Sequence, residues 1–401
     1  MKKIISLSFI TLSSVLYADM SAQEFLYQDA RIMGMGGASV ATGGKATSIF
    51  SNPAGIIQMK KSDTVQVKLL GTTVSASQNT QSAINDFTNL SSNDTQGILN
   101  TTKKYSGKAF GINVSNYTSV SYHAKDDIAY SVGILGALDL NFVPHQNSGA
   151  NGILETHSRA YAGLFLSGAK KYSGISPKFL DNKLDGDLTV GVSLKYIRQK
   201  SYEAGLDIGD ITRNQNNLST YLRDNYEVDN SGVAVDVGLL YELSNAKWNP
   251  VVGLSLMNIG SMNFDAYGAQ QFTANIGASI TPEVSWSKSL KISVDYVDLF
   301  NSQQIRVRNY NSSRTQDEYN NANVGYEFMN HLRIGASTQL IEKKWFSARF
   351  DAGIYKGSYT AGIDADLTFV KLQFTTYQEQ LGSTIGQIPD RRYIVNFGVN
   401  F

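Results

Sequence analysis

The sequence predicts an all-β fold: a transmembrane antiparallel β-barrel of about fourteen strands. Three observations carry this reading. Beyond residue 105, apolar residues recur with a period of two, and the opposite face of each run is built mostly from Gly, Ser, Ala, Asn and Thr. The chain opens on a basic and then apolar segment of the export type, and it ends on an alternating strand whose last residue is Phe401. Alternation means a sheet with two different environments on its faces. A water-soluble sandwich would expose Lys, Glu and Arg on the second face. Small polar residues opposite aliphatics give the inverse arrangement, with lipid outside and a polar lumen inside. Lipid offers no hydrogen-bond partner, so such a sheet must close on itself.

Composition excludes several other classes. The 401 residues include 35 Lys+Arg and 34 Asp+Glu, a formal net charge of +1, with no basic excess for nucleic acid. Charged residues are 17% and aromatics 11%, a balance unlike that of disordered chains. The chain has no Cys, which removes disulfide frameworks, Cys-ligated metals and thiol redox chemistry.

Taken in order, Met1-Lys2-Lys3 is a basic n-region and Ile4 to Leu16 an apolar h-region too short for a membrane helix. Residues 1–18 therefore read as a signal peptide cleaved after Ala18, and the mature chain is exported, with the cell outer membrane of a Gram-negative envelope as its expected location. Residues 31–57 are Gly-rich and lack strand alternation. They are no phosphate loop, because Lys45 is followed by Ala46 and Ser39 stands where the first Gly of that motif belongs. The physical reading is a segment that packs its backbone closely inside something narrow, with Asn52-Pro53 fixing a turn.

The strands follow. Val233, Val235, Val237 and Leu239 alternate with Ala234, Asp236 and Gly238. Ile128, Tyr130, Val132 and Ile134 alternate with Ala129, Ser131 and Gly133. Leu332, Ile334 and Ala336 alternate with Arg333, Gly335 and Ser337. Further runs start near Val65, Phe110, Ala160, Leu188, Val251, Phe272, Leu290, Ala322, Phe346, Tyr359 and Val370. After residue 60 the prolines are Pro144, Pro177, Pro250, Pro282 and Pro389, all expected outside or at the ends of strands, since proline cannot donate to a ladder. About 24 residues per strand, turns and loops included, gives about fourteen strands. Residues 73–106, 139–158, 199–231 and 299–320 are polar intervals too long for tight turns and are expected as extracellular loops. In the first of them Ile84, Phe87, Leu90 and Leu99 could form a short amphipathic helix. At the C-terminus Tyr393, Val395, Phe397, Val399 and Phe401 alternate to the last residue. Tyr393, Phe397 and Phe401 resemble the signal that outer-membrane proteins present to the barrel-assembly machinery.

Gly34-Met35-Gly36-Gly37-Ala38, followed by Asn52-Pro53-Ala54-Gly55, resembles the N-terminus of FadL-type outer-membrane barrels, the long-chain fatty-acid transporters and their relatives. Tyr377-Gln378-Glu379-Gln380-Leu381-Gly382 and Asp390-Arg391-Arg392-Tyr393 are similar to the closing segment of the TraF-like branch, named for conjugal transfer. The resemblance covers nearly the whole mature chain. It implies a fourteen-stranded barrel, residues 61–401, whose lumen is plugged by an N-terminal hatch, residues 19–60. It assigns hatch duty to Gly34, Gly36, Gly37, Asn52, Pro53, Ala54 and Gly55. A thioredoxin-like redox role attached to the branch name is excluded by the absence of Cys.

Catalytic constellations are missing. His123, His145, His157 and His331 share no metal-ligand spacing, and neither His-Glu-x-x-His nor Gly-x-Ser-x-Gly occurs. No enzyme activity, metal or cofactor is expected. Asp236, Arg333, Arg349, Asp351, Asp364 and Asp366 sit at lumen parity. There they either form a salt-bridged lumen that holds the hatch, the favoured reading, or line a polar constriction. The leading functional expectation is a transporter or gated channel for hydrophobic or amphipathic small molecules such as fatty acids. The expected partners are membrane lipid, the assembly machinery and a hydrophobic ligand. The alternative is a structural or shuttle barrel of a secretion, conjugation or appendage complex, with a periplasmic or secreted protein partner.

Overall fold

In the computed structural model the described residues are 20–21, 25–58, 65–90, 94–149, 152–175, 185–214, 217–243, 245–309, 318–343 and 345–400. The segment expected as a signal peptide, residues 1–18, and Phe401 lie outside them. A two-residue strand, β1 (Met20–Ser21), precedes helix α1 (Ala30–Gly34) and two 3-10 turns at Ala46–Phe50 and Pro53–Gln58. Next come β2 (Val65–Ser77), α2 (Thr80–Thr88), α3 (Thr95–Lys104), β3 (Phe110–Lys125), β4 (Ile128–Gly149), β5 (Gly152–Ile175) and β6 (Gly186–Leu206). The middle holds α4 (Ile208–Asn214), α5 (Leu218–Tyr226), β7 (Glu227–Glu242), β8 (Val251–Ile259), β9 (Thr273–Ile280) and β10 (Ser289–Tyr296). The chain closes with β11 (Gln304–Asn309), β12 (Glu318–Asn323), α6 (Phe328–His331), β13 (Leu332–Lys343), β14 (Phe346–Tyr355), β15 (Ser358–Leu367), β16 (Val370–Gln380) and β17 (Pro389–Asn400).

Fourteen of these strands, β2–β10 and β13–β17, form one closed barrel, with β17 paired to β2 and every pair antiparallel. No helix among the described residues is long and apolar enough to cross a membrane. The strands do so instead. Along β6 the side chains of Val192, Leu194 and Tyr196 are 45–47% exposed, whereas Ser193, Lys195 and Ile197 are buried. The same inversion holds for Tyr130, Val132 and Ile134 against Ala129 and Ser131, and for Tyr393, Val395 and Phe397 against Ile394 and Asn396.

The height of the apolar band can be read from its borders. Above Tyr196 the outward positions of β6 turn charged, and Arg198 and Lys200 pair with Asp229 and Glu227 of β7. All three tryptophans lie in short connections at the opposite end, Trp248 between β7 and β8, Trp286 between β9 and β10, and Trp345 between β13 and β14. All three are exposed, as is Phe369 between β15 and β16. Indoles at one rim of an apolar band are the interfacial girdle of a membrane barrel. Both ends of the barrel sequence, Val65 and Asn400, lie at that same rim.

Three expectations need correction. Residues 139–158 are no loop: β4 and β5 run on as a tall hairpin, laddered from Ile128↔Lys170 to Pro144↔Leu154. Their lumen face keeps the two-residue period in polar residues, which is why the segment resembled a loop in composition. Pro144 therefore falls inside β4, where the register shifts, and its carbonyl accepts from Gly107 N–H at 3.0 Å. The run marked near Ala322 belongs to β12, which pairs with β11 and stays out of the wall. Glu-Tyr-Asn-Asn-Ala-Asn has no aliphatic face to offer lipid. The first interval folds as two helices, α2 and α3, with Phe87 packed near Tyr105 and Phe110.

Candidate functional site: the lumen and the segment inside it

Residues 25–58 lie within the barrel. Asp29 caps α1, its carboxylate accepting from the N–H groups of Arg31 (3.1 Å) and Ile32 (3.3 Å). The same carboxylate accepts from Thr47 Oγ1 at 2.8 Å and Lys45 Nζ at 3.3 Å, tying the start of the segment to its middle. A short helix thus has its free N–H groups satisfied from within the segment. On the wall side, Thr375 Oγ1 donates to Ala30 O and Thr360 Oγ1 to Gly34 O, each at 2.7 Å. Thr360 Oγ1 also accepts from Gly36 N–H at 3.1 Å.

Farther along, Asp295 Oδ2 accepts from Ser39 N–H (2.5 Å) and Val40 N–H (2.8 Å), and Ser279 donates to Ala41 O (2.8 Å). The Asn52 amide donates to Val40 O at 2.8 Å and to the wall carbonyls of Leu239 (3.1 Å) and Leu254 (3.4 Å). Its carbonyl oxygen accepts from Ala54 N–H at 3.1 Å, which sets the turn into Pro53–Gln58. Gly36 has φ +67°, and a Cβ there would lie 2.3 Å from Ile334 O. Gly37 is also left-handed, at φ +78°; a Cβ on Gly55 would lie 2.8 Å from Gly43 Cα, which excludes a side chain, while one on Gly34 would make a tight contact of 3.3 Å with Gly362 Cα. The wall reciprocates. A Cβ on Gly191 would lie 2.3 Å from Ala54 N, and one on Gly335 would lie 2.1 Å from Met35 O.

An aromatic cluster fills the space beside the segment. Phe50 meets Tyr27 (5.6 Å between centroids), Tyr117 (4.9 Å) and Phe165 (5.0 Å), in tilted and edge-on geometry. Such pairs add about 0.5–1.5 kcal/mol beyond the area they bury.

The predicted lumen charges divide into separate groups. Arg349, Asp351, Asp364 and Asp366 cluster on the adjacent strands β14 and β15. Asp351 lies 4.0 Å from Arg31 Nε of the N-terminal segment. Lys371 lies 3.9 Å from Asp364 and 3.5 Å from Asp366, and Arg349 donates to Gln339 at 2.9 Å. Arg333 stacks on Tyr355 at 4.4 Å and donates to Asn330 O at 2.8 Å. Asp236 of β7 is paired with Lys195 of the adjacent strand β6 at 2.8 Å. Tyr393 and Phe397 face outward, and Tyr393 stacks on Phe374.

Sequence reasoning missed the outer closure. Residues 260–272, between β8 and β9, fold inward and bury Tyr267 completely. Gln199 and Ser201 donate to Tyr267 O at 2.7 and 3.1 Å, and Arg159 donates to Gly268 O at 3.0 Å. The Arg159 guanidinium, paired with Asp139 at 3.4 Å, sits between the rings of Tyr161 and Tyr267. Above this, Arg306 of β11 forks onto Glu203 with both contacts at 2.9 Å, beside His157, which reaches Glu155 at 2.6 Å. Met20–Ser21 pair with β11 in the same layer. Gly268 has φ +96°, and a Cβ there would lie 2.4 Å from Arg159 Nη1, so the loop packs tightly on that guanidinium.

Between inner segment and inward loop lies a cavity of about 100 Å³, lined by Phe25, Leu26, Phe50, Lys195, Asn258 and Gln270 among others. Tyr267→Ala is expected to loosen its roof, since emptying an aromatic socket costs about 3–5 kcal/mol. A single cysteine placed at Met257, which lines the cavity, supplies the measurement in this Cys-free chain. A membrane-impermeant maleimide should label it several times faster with Tyr267→Ala than without, and equal rates would refute the roof.

The family model described as "F plasmid transfer operon, TraF, protein" matches residues 104–352. No curated protein sequence matches the chain. Among solved structures it is similar to the toluene transporter TbuX of Ralstonia pickettii, at 12% identity and TM-score 0.53 over 93% of this chain and 97% of that one. It is also similar to the toluene transporter TodX of Pseudomonas putida, at 12% identity and TM-score 0.51 over 95% and 98%. A FadL homologue of Pseudomonas aeruginosa aligns at 8% identity and TM-score 0.53 over 96% and 99%. Identities this low establish shared architecture, the FadL-type barrel. With more than half of its residues matched by the family model, the chain belongs to the TraF family of the F plasmid transfer operon, built on that barrel.

Proposed function

We propose that this protein is an outer-membrane transporter or gated channel for hydrophobic or amphipathic small molecules, a class that includes fatty acids. Residues 19–60 act as its hatch and residues 61–401 as its barrel. The observation that carries the reading is the cavity held between an inner segment and an outer loop, with an aromatic cluster on its inner side. A pocket bounded by the inner segment on one side and the inward loop on the other suits a solute that is captured first and released after the hatch moves. The likeness to proteins named as toluene transporters supports the same direction. In this reading Gly34, Gly36, Gly37 and Asn52 to Gly55 hold the hatch in register, and the paired lumen charges hold it in place. Tyr393, Phe397 and Phe401 then serve the barrel-assembly machinery.

The test is uptake into proteoliposomes. Vesicles carrying the protein should take up a fluorescent fatty acid or toluene several times faster than empty vesicles, and no difference for either solute would overturn the proposal. A second reading, an anchor or shuttle barrel of a conjugation complex, rests on the family description. A stoichiometric protein partner after mild extraction, with no uptake, would select it.

A further inference from the structure

The barrel wall is uneven in height. Strands β5 and β6 run for 24 and 21 residues, whereas β8, β9 and β10 have 9, 8 and 8. The β9–β10 ladder ends at Ile276↔Tyr296, and the exposed apolar side chains of Leu299 and Phe300 stand beside its end, Phe300 stacked on Phe272. Beyond the ladder, β9 and the stretch 297–304 are joined only by separate bonds. Asn275 Oδ1 accepts from Asp298 N–H and Ala274 O from Leu299 N–H, each at 2.8 Å, and Ser302 Oγ donates to Phe272 O. The outermost crossing is a bond between side chains, from Gln271 Nε2 to Gln304 Oε1 at 3.1 Å.

Behind that crossing lies the lumen cavity. Gln270 and Gln271 line it from one edge, and Gln303 and Gln304 from the other. Gln271, Gln303 and Gln304 are half-buried, whereas Lys195 and Val40, deeper in the lining, are buried. Each edge is braced without help from the crossing. The Asp298 carboxylate accepts from the N–H groups of Ser302 (2.9 Å) and Gln303 (3.0 Å) and from Ser302 Oγ. Opposite, Gln271 O accepts from the Asn258 amide at 2.9 Å, and Phe272 N–H donates to Ser261 Oγ at 3.1 Å.

We propose that Gln271 and Gln304 gate a side entrance to this cavity, set at the outer boundary of the membrane and admitting an uncharged solute of single-ring size. Parting the two side chains breaks one neutral hydrogen bond, and both amides can turn to water, so opening strands no buried polar group. The roof is a harder way in. Tyr267 is fully buried, and the carbonyls of residues 267 and 268 are held by Gln199, Ser201 and Arg159. Leu299, Phe300 and Phe272 give an apolar approach from the lipid side. The threshold itself is neutral, since its one carboxylate, Asp298, is taken up by three donors. The space behind it, about 100 Å³, is of the order of the roughly 150 Å³ cavity known to hold benzene. The inference rests on reading the lumen as a solute path, and it fixes where that path begins.

The test places a cysteine at Met257, behind the entrance, and follows its reaction with a membrane-impermeant methanethiosulfonate in phospholipid nanodiscs. Gln271→Ala with Gln304→Ala should speed the reaction at least about tenfold, and Gln271→Trp should slow it by a similar factor. Unchanged rates in the folded variants would overturn the proposal, and so would acceleration by Tyr267→Ala but not by the paired alanines. If Gln271→Trp does not fold, as judged by its gel mobility before and after heating, the alanine pair decides alone. Toluene uptake into proteoliposomes should fall with Gln271→Trp, and uptake that is indifferent to a Trp that slows labelling would also overturn it. Labelling that responds as expected, with no uptake by the unaltered protein, would leave the entrance standing and sink the transporter reading.

Discussion

Alanine at both Gly191 and Gly335 is expected to drive residues 25–58 out of the lumen and leave an open, water-filled pore. The two glycines sit on β6 and β13, and each meets the backbone of the inner segment rather than a side chain that could swing away. A methyl group at Gly191 would lie 2.3 Å from Ala54 N and 2.5 Å from Ala54 Cα, and one at Gly335 would lie 2.1 Å from Met35 O. Overpacking of this kind costs about 1–3 kcal/mol per site. Well-separated sites add, so the pair opposes a seat held largely by single hydrogen bonds of about 0.5–1.5 kcal/mol net each. The wall ladders do not involve these Cβ positions, and the barrel should still show its heat-dependent gel mobility. Planar-bilayer recordings should show ion conductance at least about tenfold above the unaltered protein, the factor that corresponds to 1.4 kcal/mol. Unchanged conductance in a folded double variant would mean that the segment does not block the lumen.

The second large effect is expected at Asp295. Its carboxylate is the acceptor for two consecutive backbone N–H groups, Ser39 and Val40, in the middle of the inner segment. Asp295→Ala leaves both donors buried and unpaired, at about 1–3 kcal/mol each. Local opening of residues 38–41 should then become easier by about 2–6 kcal/mol, and their amide exchange faster by roughly thirtyfold or more. Asp295→Asn keeps one acceptor oxygen and should fall between. Exchange at Ser39 and Val40 that is the same in all three proteins would show that the strand carboxylate does not anchor the segment.

Much of the barrel was legible because lipid imposes a simple rule on sequence. Every second residue of a spanning strand must be apolar, and Val192, Leu194 and Tyr196 or Tyr393, Val395 and Phe397 obey it visibly. The rule lapses above the membrane. There, β4 and β5 continue with Asp139, Asn141, Glu155 and His157 buried on the lumen face, a composition that resembles a loop. The same lapse made Ala322 look like the start of a wall strand, since a short polar run alternates equally well in a hairpin that packs on the outer face.

The inner segment was legible through glycine. Gly36 and Gly37 need φ above zero, and Asn52 carries three backbone contacts that follow from its amide. Its partners were not legible. Thr360, Thr375 and Asp295 are ordinary lumen-parity residues until the barrel closes and brings them to a segment more than 250 positions away. Tyr267 was missed for a related reason: nothing local distinguishes an inward loop from an outward one. The pairing of Arg159 with that loop is a property of the closed ring, with |i−j| of 109 for its bond to Gly268.

The placement of the tryptophans decides how this molecule can be observed. With Trp248, Trp286 and Trp345 all at one rim, its native fluorescence is a depth gauge for a single lipid boundary and is blind to anything that happens near Asn52 or Tyr267. A dye or spin label attached through one introduced thiol has no competing site in this chain, so the moving parts can be lit one at a time against a dark interior.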